Sequence, residues 1–502
     1  MALPEDFAAG AASAPALLAP GRPALTHDGL RRLIADTVKR LNGLGIGRDD
    51  RVAIMLPNGP EMAAAFLAVA AGAATAPLNP AYREEELTFY LTDIGAKAIL
   101  VGRDETGPSV TVAEKLGIAI FRLDIAEGAA SGTFTIDGKP VGPPVSTGYA
   151  GPDDAALLLH TSGTTSRPKL VPLSHKNLAA SAQHIGETLA LAADDRCLNI
   201  RPLFHIHGLI AAVLSSLAAG ASVFCTPGFD ALRFFRWLEE AKPTWYTAVP
   251  TMHQAILARA ARNPDAVAAS RLRFIRSSSA SLPPQVMLEL EAAFSCPVLE
   301  SYGMTEAAHQ MASNPLPPHA RKPGSVGIAA GPDIAIMAPD GKLVAPSEEG
   351  EIVIRGPNVT DGYVNNPSAN ESAFAHGWFH TGDQGTLDDE GYLRVTGRLK
   401  EIINRGGEKI SPREVDEVLM DHPAIAQVVC FAVPHDKLGE EVGAAIVLRE
   451  GQKASEQDIR SFAAGRLADF KVPRRIVILE EIPKGATGKL QRIGLAQKLG
   501  LG

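Results

Sequence analysis

Cysteine is scarce in this chain of 502 residues, and its four copies form no CxxC pair. Because a zinc site or a disulfide framework needs closely spaced or numerous cysteines, the sequence predicts neither. We expect thiols that are buried or idle, as is usual for a protein of a reducing cytosol. The four residues are Cys197, Cys225, Cys296 and Cys430.

An excess of positive charge is also absent. The chain has a formal net charge of −8 and a pI near 5.9. Because nucleic-acid binding usually depends on a basic face, this balance gives no reason to expect a nucleic-acid partner. Small anionic ligands remain open, since they are bound by local donors and cations whatever the net charge.

Neither end of the chain resembles a targeting signal. The first twenty residues lack a basic start and contain Glu5 and Asp6, which is unlike a secretory signal. The last residues, 500–502, differ from an SKL-type peroxisomal address. We therefore expect a cytoplasmic enzyme.

Two long apolar stretches, 62–78 and 208–225, are uncharged, but they do not predict membrane spans. Both are rich in alanine and glycine, and neither has Lys or Arg anchors at both ends. We interpret them as core helices and strands of a large α/β domain, and expect no membrane partner.

The length and the order of patterns predict an α/β protein with more than one domain. Apolar residues make up 46% and charged residues 21% of the chain, and 502 residues exceed what one core usually holds. Helical and strand-like segments alternate, which favours layered structure with parallel sheets. The predicted segments are a helix at 30–44, a strand at 51–56, a helix at 61–71, a strand at 97–101, irregular connections at 104–153 and a strand at 155–160.

Near residue 396 the pattern changes to that of a smaller α+β unit. Ser411, Pro412 and Glu414 have the order of an N-cap, a first helical position and a third position, which predicts a helix start. We therefore predict two domains, 1–397 and 398–502. The later elements of the second are predicted as strands at 428–433 and 444–448, a helix at 456–467 and a strand at 476–479.

A polar loop directly after the apolar strand 155–160 is a candidate phosphate-binding loop. It contains five hydroxyl residues, one glycine and two cations within residues 161–169. Glycine permits a tight backbone turn, and hydroxyls, backbone N–H groups and a lysine are suitable donors for a triphosphate. The string differs from the GxxxxGK[ST] loop, and a polar solvent loop is the alternative. The candidate residues are Thr161, Ser162, Gly163, Thr164, Thr165 and Lys169.

In its exact order, this string resembles the signature loop of the adenylate-forming superfamily, which includes acyl-CoA synthetases, peptide-synthetase adenylation domains and firefly luciferase. Arg167 stands where many members have a small residue. The resemblance extends over essentially the whole chain. It implies a large N-terminal domain of layered sheets and helices and a small, mobile α+β C-terminal domain.

The family resemblance also implies a reaction. ATP would activate a carboxylic acid as an acyl-adenylate with release of pyrophosphate, and a thiol, coenzyme A, would then take the acyl group and release AMP. The cofactors implied are ATP, Mg²⁺ and coenzyme A. No side chain would become a covalent intermediate, so a nucleophile with its own base is not required.

The string 301–306, Ser-Tyr-Gly-Met-Thr-Glu, resembles the family motif that contacts adenine, phosphate and metal. The resemblance assigns Ser301 and Tyr302 to the nucleotide, Thr305 to phosphate and Glu306 to Mg²⁺ and catalysis. An aromatic face suits adenine, and a carboxylate oxygen is a hard ligand for Mg²⁺.

Further motifs follow in the family order. Asp383, in Thr-Gly-Asp, resembles the ribose-binding aspartate, and Arg398 would bind ribose or phosphate. Lys400 matches the hinge about which the C-terminal domain rotates between the two half-reactions, and 406–409 the loop presented for thioester formation. Lys489 matches the lysine that enters the active site during adenylation.

The strings 205–208 and 306–317 suggest a small polar acid, because histidines there would interrupt an apolar tunnel. A neutral or protonated imidazole can donate to a second carboxylate. Both strings resemble the oxalate–CoA ligase branch of the family, which would bind oxalate with His207, Ser279 and His309.

Alternatives to this assignment stay open. His205 and His207 have a structural interpretation, in which they hydrogen-bond a turn, and we assign His205 no role. Malonate is the nearest rival substrate, ahead of medium-chain or aromatic acids, and a carrier-protein thiol is an alternative acceptor. A non-catalytic nucleotide-binding protein would not need Lys489, and a simple ATPase would release ADP where the ligase releases AMP.

Overall fold

The computed structural model describes residues 7–161, 168–484 and 490–502. Its strands form four sheets, and short buried strands alternate with helices through the first three hundred residues. The strands are β1 (Pro15–Leu18), β2 (Leu25–Thr26), β3 (Arg51–Met55), β4 (Ala74–Pro77), β5 (Ala98–Gly102), β6 (Ala119–Asp124), β7 (Thr135–Asp137), β8 (Ala155–His160), β9 (Leu170–Ser174), β10 (Arg196–Asn199), β11 (Ser222–Cys225), β12 (Trp245–Ala248), β13 (Phe274–Ser278), β14 (Val298–Met304), β15 (His309–Ser313), β16 (Ile328–Ala329), β17 (Asp333–Met337), β18 (Gly350–Arg355), β19 (Phe379–Leu387), β20 (Leu393–Arg398), β21 (Ile403–Arg405), β22 (Glu408–Ile410), β23 (Ile425–His435), β24 (Gly439–Leu448) and β25 (Arg475–Ile478).

The helices pack on the faces of these sheets. A π-helical segment, His207–Leu214, runs directly into one of them. The α-helices are α1 (His27–Gly43), α2 (Pro60–Ala70), α3 (Glu84–Ile94), α4 (Pro108–Leu116), α5 (His175–Thr188), α6 (Ser215–Ala218), α7 (Phe234–Ala241), α8 (Pro250–Ala260), α9 (Pro264–Ala268), α10 (Pro284–Phe294), α11 (Pro367–Ala373), α12 (Pro412–Met420), α13 (Glu456–Ala464) and α14 (Leu495–Lys498).

Two large sheets with parallel centres form the main body. One has seven strands in the order β7-β6-β5-β3-β4-β8-β9, and the other nine in the order β16-β15-β14-β13-β12-β10-β11-β1-β2. Strands β10, β12, β13 and β14 of the second sheet are parallel, and β15 reverses direction. This architecture confirms the predicted α/β class, since strands buried on both faces need helices on both sides.

The two apolar stretches are core elements, as predicted. Helix α2 is buried all round, with an alanine-rich sequence that fits between sheets, and it leads into the fully buried β4. The second stretch consists of the π-helical segment, α6 and β11. Among the described residues, every helix is too short or too polar to cross a bilayer.

The region 104–153 is more regular than the sequence predicted. It contains α4, β6 and β7, which extend one edge of the seven-stranded sheet. Helix α4 starts with Pro108 at its first position and ends at Leu116, and the next residue, Gly117, has a left-handed φ of +67°. The prediction was wrong here because these glycines and prolines delimit short elements, in addition to marking loops.

The remaining two sheets follow in the second half of the chain. Strands β17 to β20 form a four-stranded antiparallel sheet, and β21 to β25 form a five-stranded sheet flanked by α12 and α13. Strand β20 ends at Arg398 and β21 begins at Ile403, in different sheets. The division into domains 1–397 and 398–502 stays a prediction about independently folding units.

Helix α12 begins at Pro412, as predicted, but without the predicted side-chain cap. The Ser411 hydroxyl donates to the carbonyl oxygen of Thr396 and caps no N–H of the helix. Glu414 accepts two hydrogen bonds from Lys471 Nζ, at 2.6 and 2.8 Å. Both polar side chains therefore tie α12 to neighbouring segments, which a local cap pattern does not reveal.

All four cysteines are buried and free, which confirms the expectation for the thiols. Burial raises the pKa of Cys296 to about 12 and that of Cys197 well above its ordinary value. Their thiols are therefore protonated and unreactive at neutral pH.

The buried carboxylate of Asp195 joins the starts of three parallel strands. It accepts hydrogen bonds from the Thr244 hydroxyl at 2.6 Å and from Arg273 Nε and Nη2 at 2.8 and 2.7 Å. Burial alone would raise the pKa of Asp195, but these bonds from Arg273 and Thr244 lower it below its ordinary value of 3.8. Asp195 thus fixes how β10, β12 and β13 start relative to one another.

We expect Asp195→Asn to lower the free energy of unfolding by about 3 kcal/mol at pH 7, because it leaves Arg273 without its buried partner. Since the folded-state pKa is depressed, the carboxylate stabilises the fold fully above pH 3.8 and loses this effect as pH falls through the folded value. Urea denaturation at pH 7 and near pH 3 measures both.

The adjacent, exposed Asp194 provides the control, and Asp194→Asn should change stability by less than about 0.5 kcal/mol. Equal effects of the two substitutions would contradict the structural role of Asp195.

Candidate active site

The candidate site lies where the parallel strands β12, β13 and β14 end. In open α/β sheets, ligands bind outside the carboxyl ends of the strands, near the point where strand direction or order changes. Here β15 is antiparallel to β14 and marks that point. The residues predicted from the sequence come from these strand ends, from the β8–β9 connection and from the β19–β20 pair.

Tyr302, Asp383 and Arg398 form one hydrogen-bonded group. The Tyr302 hydroxyl donates to Asp383 Oδ2 at 2.6 Å, and Arg398 Nε donates to Asp383 Oδ1 at 2.7 Å. Asp383 and Arg398 are directly opposite each other in the register of the antiparallel strands β19 and β20. The negative charge of Asp383 raises the pKa of Arg398 above its ordinary value. The fold thus brings these three predicted nucleotide-binding residues together.

Glu306 and Lys169 meet at the ring of Tyr363. The Tyr363 hydroxyl donates to Glu306 Oε1 at 2.9 Å, and Lys169 Nζ lies 4.3 Å from the centre of the Tyr363 ring. Burial raises the pKa of Glu306 above its ordinary value of 4.5. Burial, and then the charge of Lys400, lowers the pKa of Lys169. Two lysines and one buried carboxylate therefore stand close together, which suits a charged, metal-bound phosphate chain.

The predicted phosphate loop connects β8 to β9. The N–H of Thr161 donates to the carbonyl oxygen of Lys169 at 2.9 Å, which closes the base of the loop. Ser162, Gly163, Thr164 and Thr165 lie outside the described residues, and so does Lys489. Their predicted roles in ATP binding and catalysis stay predictions.

His207 is buried in a chain of hydrogen bonds between two strand ends. Its Nδ1 lies 3.0 Å from the Ser279 hydroxyl, and its Nε2 lies 2.6 Å from the Thr247 hydroxyl. Burial, and then the charge of Arg201, keeps the pKa of His207 well below its ordinary value of 6.5. The ring is therefore neutral at pH 7, with one nitrogen donating and the other accepting.

His309 stands beside His207, with ring centres 4.9 Å apart. Its φ of +105° is unusual for a residue with a side chain, and Ser279 also has a positive φ of +74°. Such backbone angles cost free energy and are often retained at functional sites. The three predicted substrate residues, His207, Ser279 and His309, thus form one cluster.

Gly303 of the predicted motif makes this cluster possible. A Cβ on Gly303 would lie 1.7 Å from the carbonyl oxygen of His309, so a side chain cannot fit there. The register of β14 and β15 shifts at this point, between Tyr302 and Gly303. Glycine is therefore required for β15 to approach β14 and bring His309 to the site.

Three other predicted or considered residues have more local contacts. The Ser301 hydroxyl donates to the carbonyl oxygen of Ser277 at 3.2 Å, within the sheet. Thr305 begins a 3₁₀ turn, Thr305–Ala307, which ends two residues before His309. His205 Nδ1 accepts from the N–H of His207 at 3.2 Å, which is the turn contact considered for it from the sequence.

Sequence reasoning missed two residues that hold the predicted ones in position. Thr247 bonds His207, and Tyr363 lies between Glu306 and Lys169. Each is a single residue in an otherwise apolar or loop segment, and neither has a local pattern that indicates a functional role. Only the pairing of distant segments identifies them.

Within the described residues, no group of three or more His, Cys, Asp or Glu side chains is arranged to hold a metal ion. A metal at Glu306 would therefore need ligand phosphates and water to complete its coordination. Mg²⁺ is commonly bound in this way, by one or two carboxylates together with substrate phosphates.

Comparison with known families gives two matches along the chain. Residues 5–364 match the family described as AMP-binding enzyme, and residues 414–489 match its C-terminal domain. The first match covers well over half of the chain. Together they confirm the family predicted from the motifs.

Two curated relatives are similar over nearly their full lengths. The chain is 48% identical to an oxalate–CoA ligase of Arabidopsis thaliana, over 96% of this chain and 95% of the relative. It is 41% identical to an oxalate–CoA ligase of Saccharomyces cerevisiae, over 90% of this chain and 87% of the relative.

The fold has a similar counterpart among solved structures. The ATP-bound MatB of Rhodopseudomonas palustris has a TM-score of 0.85 and 29% identity, with 97% of this chain and 95% of that chain covered. A neighbour solved with ATP is consistent with nucleotide binding by this fold.

We expect Asp383→Asn to raise the dissociation constant of AMP roughly 10- to 100-fold, because a charged acceptor of two hydrogen bonds is lost. Isothermal titration with AMP measures this. The exposed Asp389, in the turn after β19, provides a matched control in Asp389→Asn, with affinity unchanged. Wild-type affinity in Asp383→Asn would remove Asp383 from the nucleotide site.

Proposed function

The chain belongs to the AMP-binding enzyme family, and from this premise we propose that it is an ATP-dependent ligase that joins oxalate to coenzyme A. The products are oxalyl-CoA, AMP and pyrophosphate. The observation that carries the choice of acid is the cluster of His207, Ser279 and His309, which puts polar groups where a fatty or aryl acid needs an apolar wall. The two oxalate–CoA ligase relatives support the same choice. A cytoplasmic location is part of the proposal.

The first half-reaction brings two anions together. A carboxylate oxygen of oxalate attacks the α-phosphate of ATP, the bond to pyrophosphate breaks, and an acyl-adenylate forms. The protein must therefore orient both anions and offset their charge. In the proposal, Lys169 contacts phosphate oxygens, Asp383 accepts the ribose hydroxyls, and Tyr302 lies against adenine.

The second carboxylate of oxalate is held by the histidine cluster. His207 is neutral, and its two ring nitrogens are hydrogen-bonded to Ser279 and Thr247, so it acts through Ser279. When His207 Nδ1 donates to Ser279, the Ser279 hydroxyl can donate to a carboxylate oxygen. This contact fixes which carboxylate faces the α-phosphate. Because the second carboxylate lies only one bond away, small errors in position would misalign the attack.

Mg²⁺ fits the residues present near the phosphates. Glu306 is buried, its Oε1 already accepts one hydrogen bond from Tyr363, and Thr305 is next to it in the chain. Carboxylate and hydroxyl oxygens suit this ion, which would neutralise phosphate charge when bound. Glu306 would hold it, and Tyr363 would orient Glu306.

The second half-reaction needs the sulfur of coenzyme A at the adenylate carbonyl, with AMP as the leaving group. In the proposal, Lys489 serves the first step and leaves the site for the second, when residues 398–502 rotate about Lys400. Lys400 lies between the last strand of one sheet and the first strand of another, a position that permits such a rotation.

Pyrophosphate release with ATP, Mg²⁺ and coenzyme A tests the choice of acid. Across oxalate, malonate, acetate, octanoate and benzoate, we expect oxalate to have the highest kcat/KM by a factor of roughly 100 over the monocarboxylic acids, because these leave the polar cluster unpaired. AMP, and no ADP, should accumulate. A preference for octanoate or benzoate would leave the ligase class intact and contradict the oxalate pocket.

His207→Asn should reduce kcat/KM for oxalate by a factor of roughly 100, because the imidazole links Ser279 to Thr247 and no shorter side chain spans both. His27 is a matched control, since it is equally buried and both of its ring nitrogens are hydrogen-bonded, away from the site. His27→Asn should lower stability and leave kcat/KM unchanged. Equal kinetic losses in both variants would assign His207 a structural role.

A further inference from the structure

Arg276 is a fully buried arginine with unmet hydrogen-bonding capacity. It lies on β13, and its Nη2 donates to Gln310 Oε1 at 3.0 Å. Its Nε and Nη1 have no hydrogen-bond partner among the described residues. No carboxylate among those residues forms an ion pair with Arg276. A buried cation without an anion is costly, so an anionic ligand is the natural partner.

The position of Arg276 connects it to both histidines of the candidate site. It is in register with Thr247 on the neighbouring parallel strand, so the two side chains point to the same face of the sheet. Thr247 in turn bonds His207. On the other side, Gln310 adjoins His309 in β15. Arg276 is thus linked to His207 by way of Thr247, and to His309 by way of Gln310.

The guanidinium of Arg276 is, with that of Arg201, a buried cation near His207. Burial lowers the pKa of Arg276 to about 9, which leaves the guanidinium protonated at pH 7. Burial is the main cause of the low pKa of His207, and the charge of Arg276 adds to it after those of Arg201 and His309. His207 therefore carries no charge, and the buried guanidinium groups near it, Arg276 among them, provide the positive charge.

We infer that Arg276 is a specificity-determining residue whose positive charge favours a substrate with a second carboxylate over a neutral substrate of the same size. The inference deepens the proposed function and rests on it. Removing an anion from water to a buried site is unfavourable unless a positive charge compensates. Hydrogen bonds from neutral groups serve a carboxylate or an amide alike, so the charge makes the difference.

A structural role for Arg276 predicts a different result. In that case the bond to Gln310 would only hold β13 near β15, and the loss of Arg276 would disturb every substrate equally. The two roles are separated by comparing substrates that have the same shape and different charge.

Oxalate and oxamate are such a pair, because oxamate has a neutral amide in place of the second carboxylate. We would measure kcat/KM by pyrophosphate release for both acids in the full-length wild type, Arg276→Met and Arg276→Lys. Arg276→Met should lower the value for oxalate roughly 100-fold, the effect expected when one partner of a buried charge pair is removed. The value for oxamate should change by less than about 3-fold, since an amide has no charge to pair. Arg276→Lys keeps the charge and should retain most of the preference for oxalate.

The possible outcomes distinguish a failure of the inference about Arg276 from a failure of the proposed function. If Arg276→Met had the wild-type kcat/KM for oxalate and an unchanged ratio of kcat/KM between oxalate and oxamate, this inference would be overturned. The proposed function would still stand. A wild type that does not distinguish oxalate from oxamate would overturn the inference even if the variants failed to fold. A wild type that prefers a monocarboxylic acid would overturn both.

Discussion

The backbone of β14 comes so close to that of β15 that a side chain at Gly303 would collide with the carbonyl oxygen of His309. This contact joins the two halves of the candidate site. On the β14 side, Tyr302 points to Asp383, and Glu306 follows one turn later. On the β15 side, His309 turns back towards His207 with a positive φ. Nucleotide and acid would therefore meet across a strand pair that only glycine permits, and any larger residue would push both halves apart.

Much of the fold follows from local patterns in the chain. The buried strand 155–160 was predicted with the bounds that the structure has, because an apolar run that ends at a polar loop has one simple interpretation. Prediction failed where glycine and proline are frequent, as in 104–153. There a proline or glycine starts or ends a short helix, and the sequence analysis took these residues as marks of irregular loops. It also failed for the Ser411 cap, because a hydroxyl at a helix start can equally bond a distant carbonyl.

The site residues that lie in short continuous sequence motifs could be predicted. The string 161–169, followed by the motif around Tyr302, indicated the family, which the family matches confirm. The histidine strings indicated the cluster. Thr247 bonds His207 across 40 residues of sequence, Tyr363 bonds Glu306 across 57, and Arg276 bonds Gln310 across 34. No local spacing reveals such pairs. An arginine in the middle of the short strand β13, as at Arg276, is a signal that the sequence offers.

The two hydrogen bonds that link Ser279, His207 and Thr247 have no fixed donor-to-acceptor direction. Each hydroxyl can donate or accept, so the neutral imidazole can carry its proton on either nitrogen if both hydroxyls rotate together. With the proton on Nδ1, Ser279 accepts from the ring and turns its own hydrogen outward; with the proton on Nε2, it turns lone pairs outward. A ligand bound at Ser279 would therefore select the tautomer of His207, and the Ser279 hydroxyl could donate or accept without any movement of the backbone.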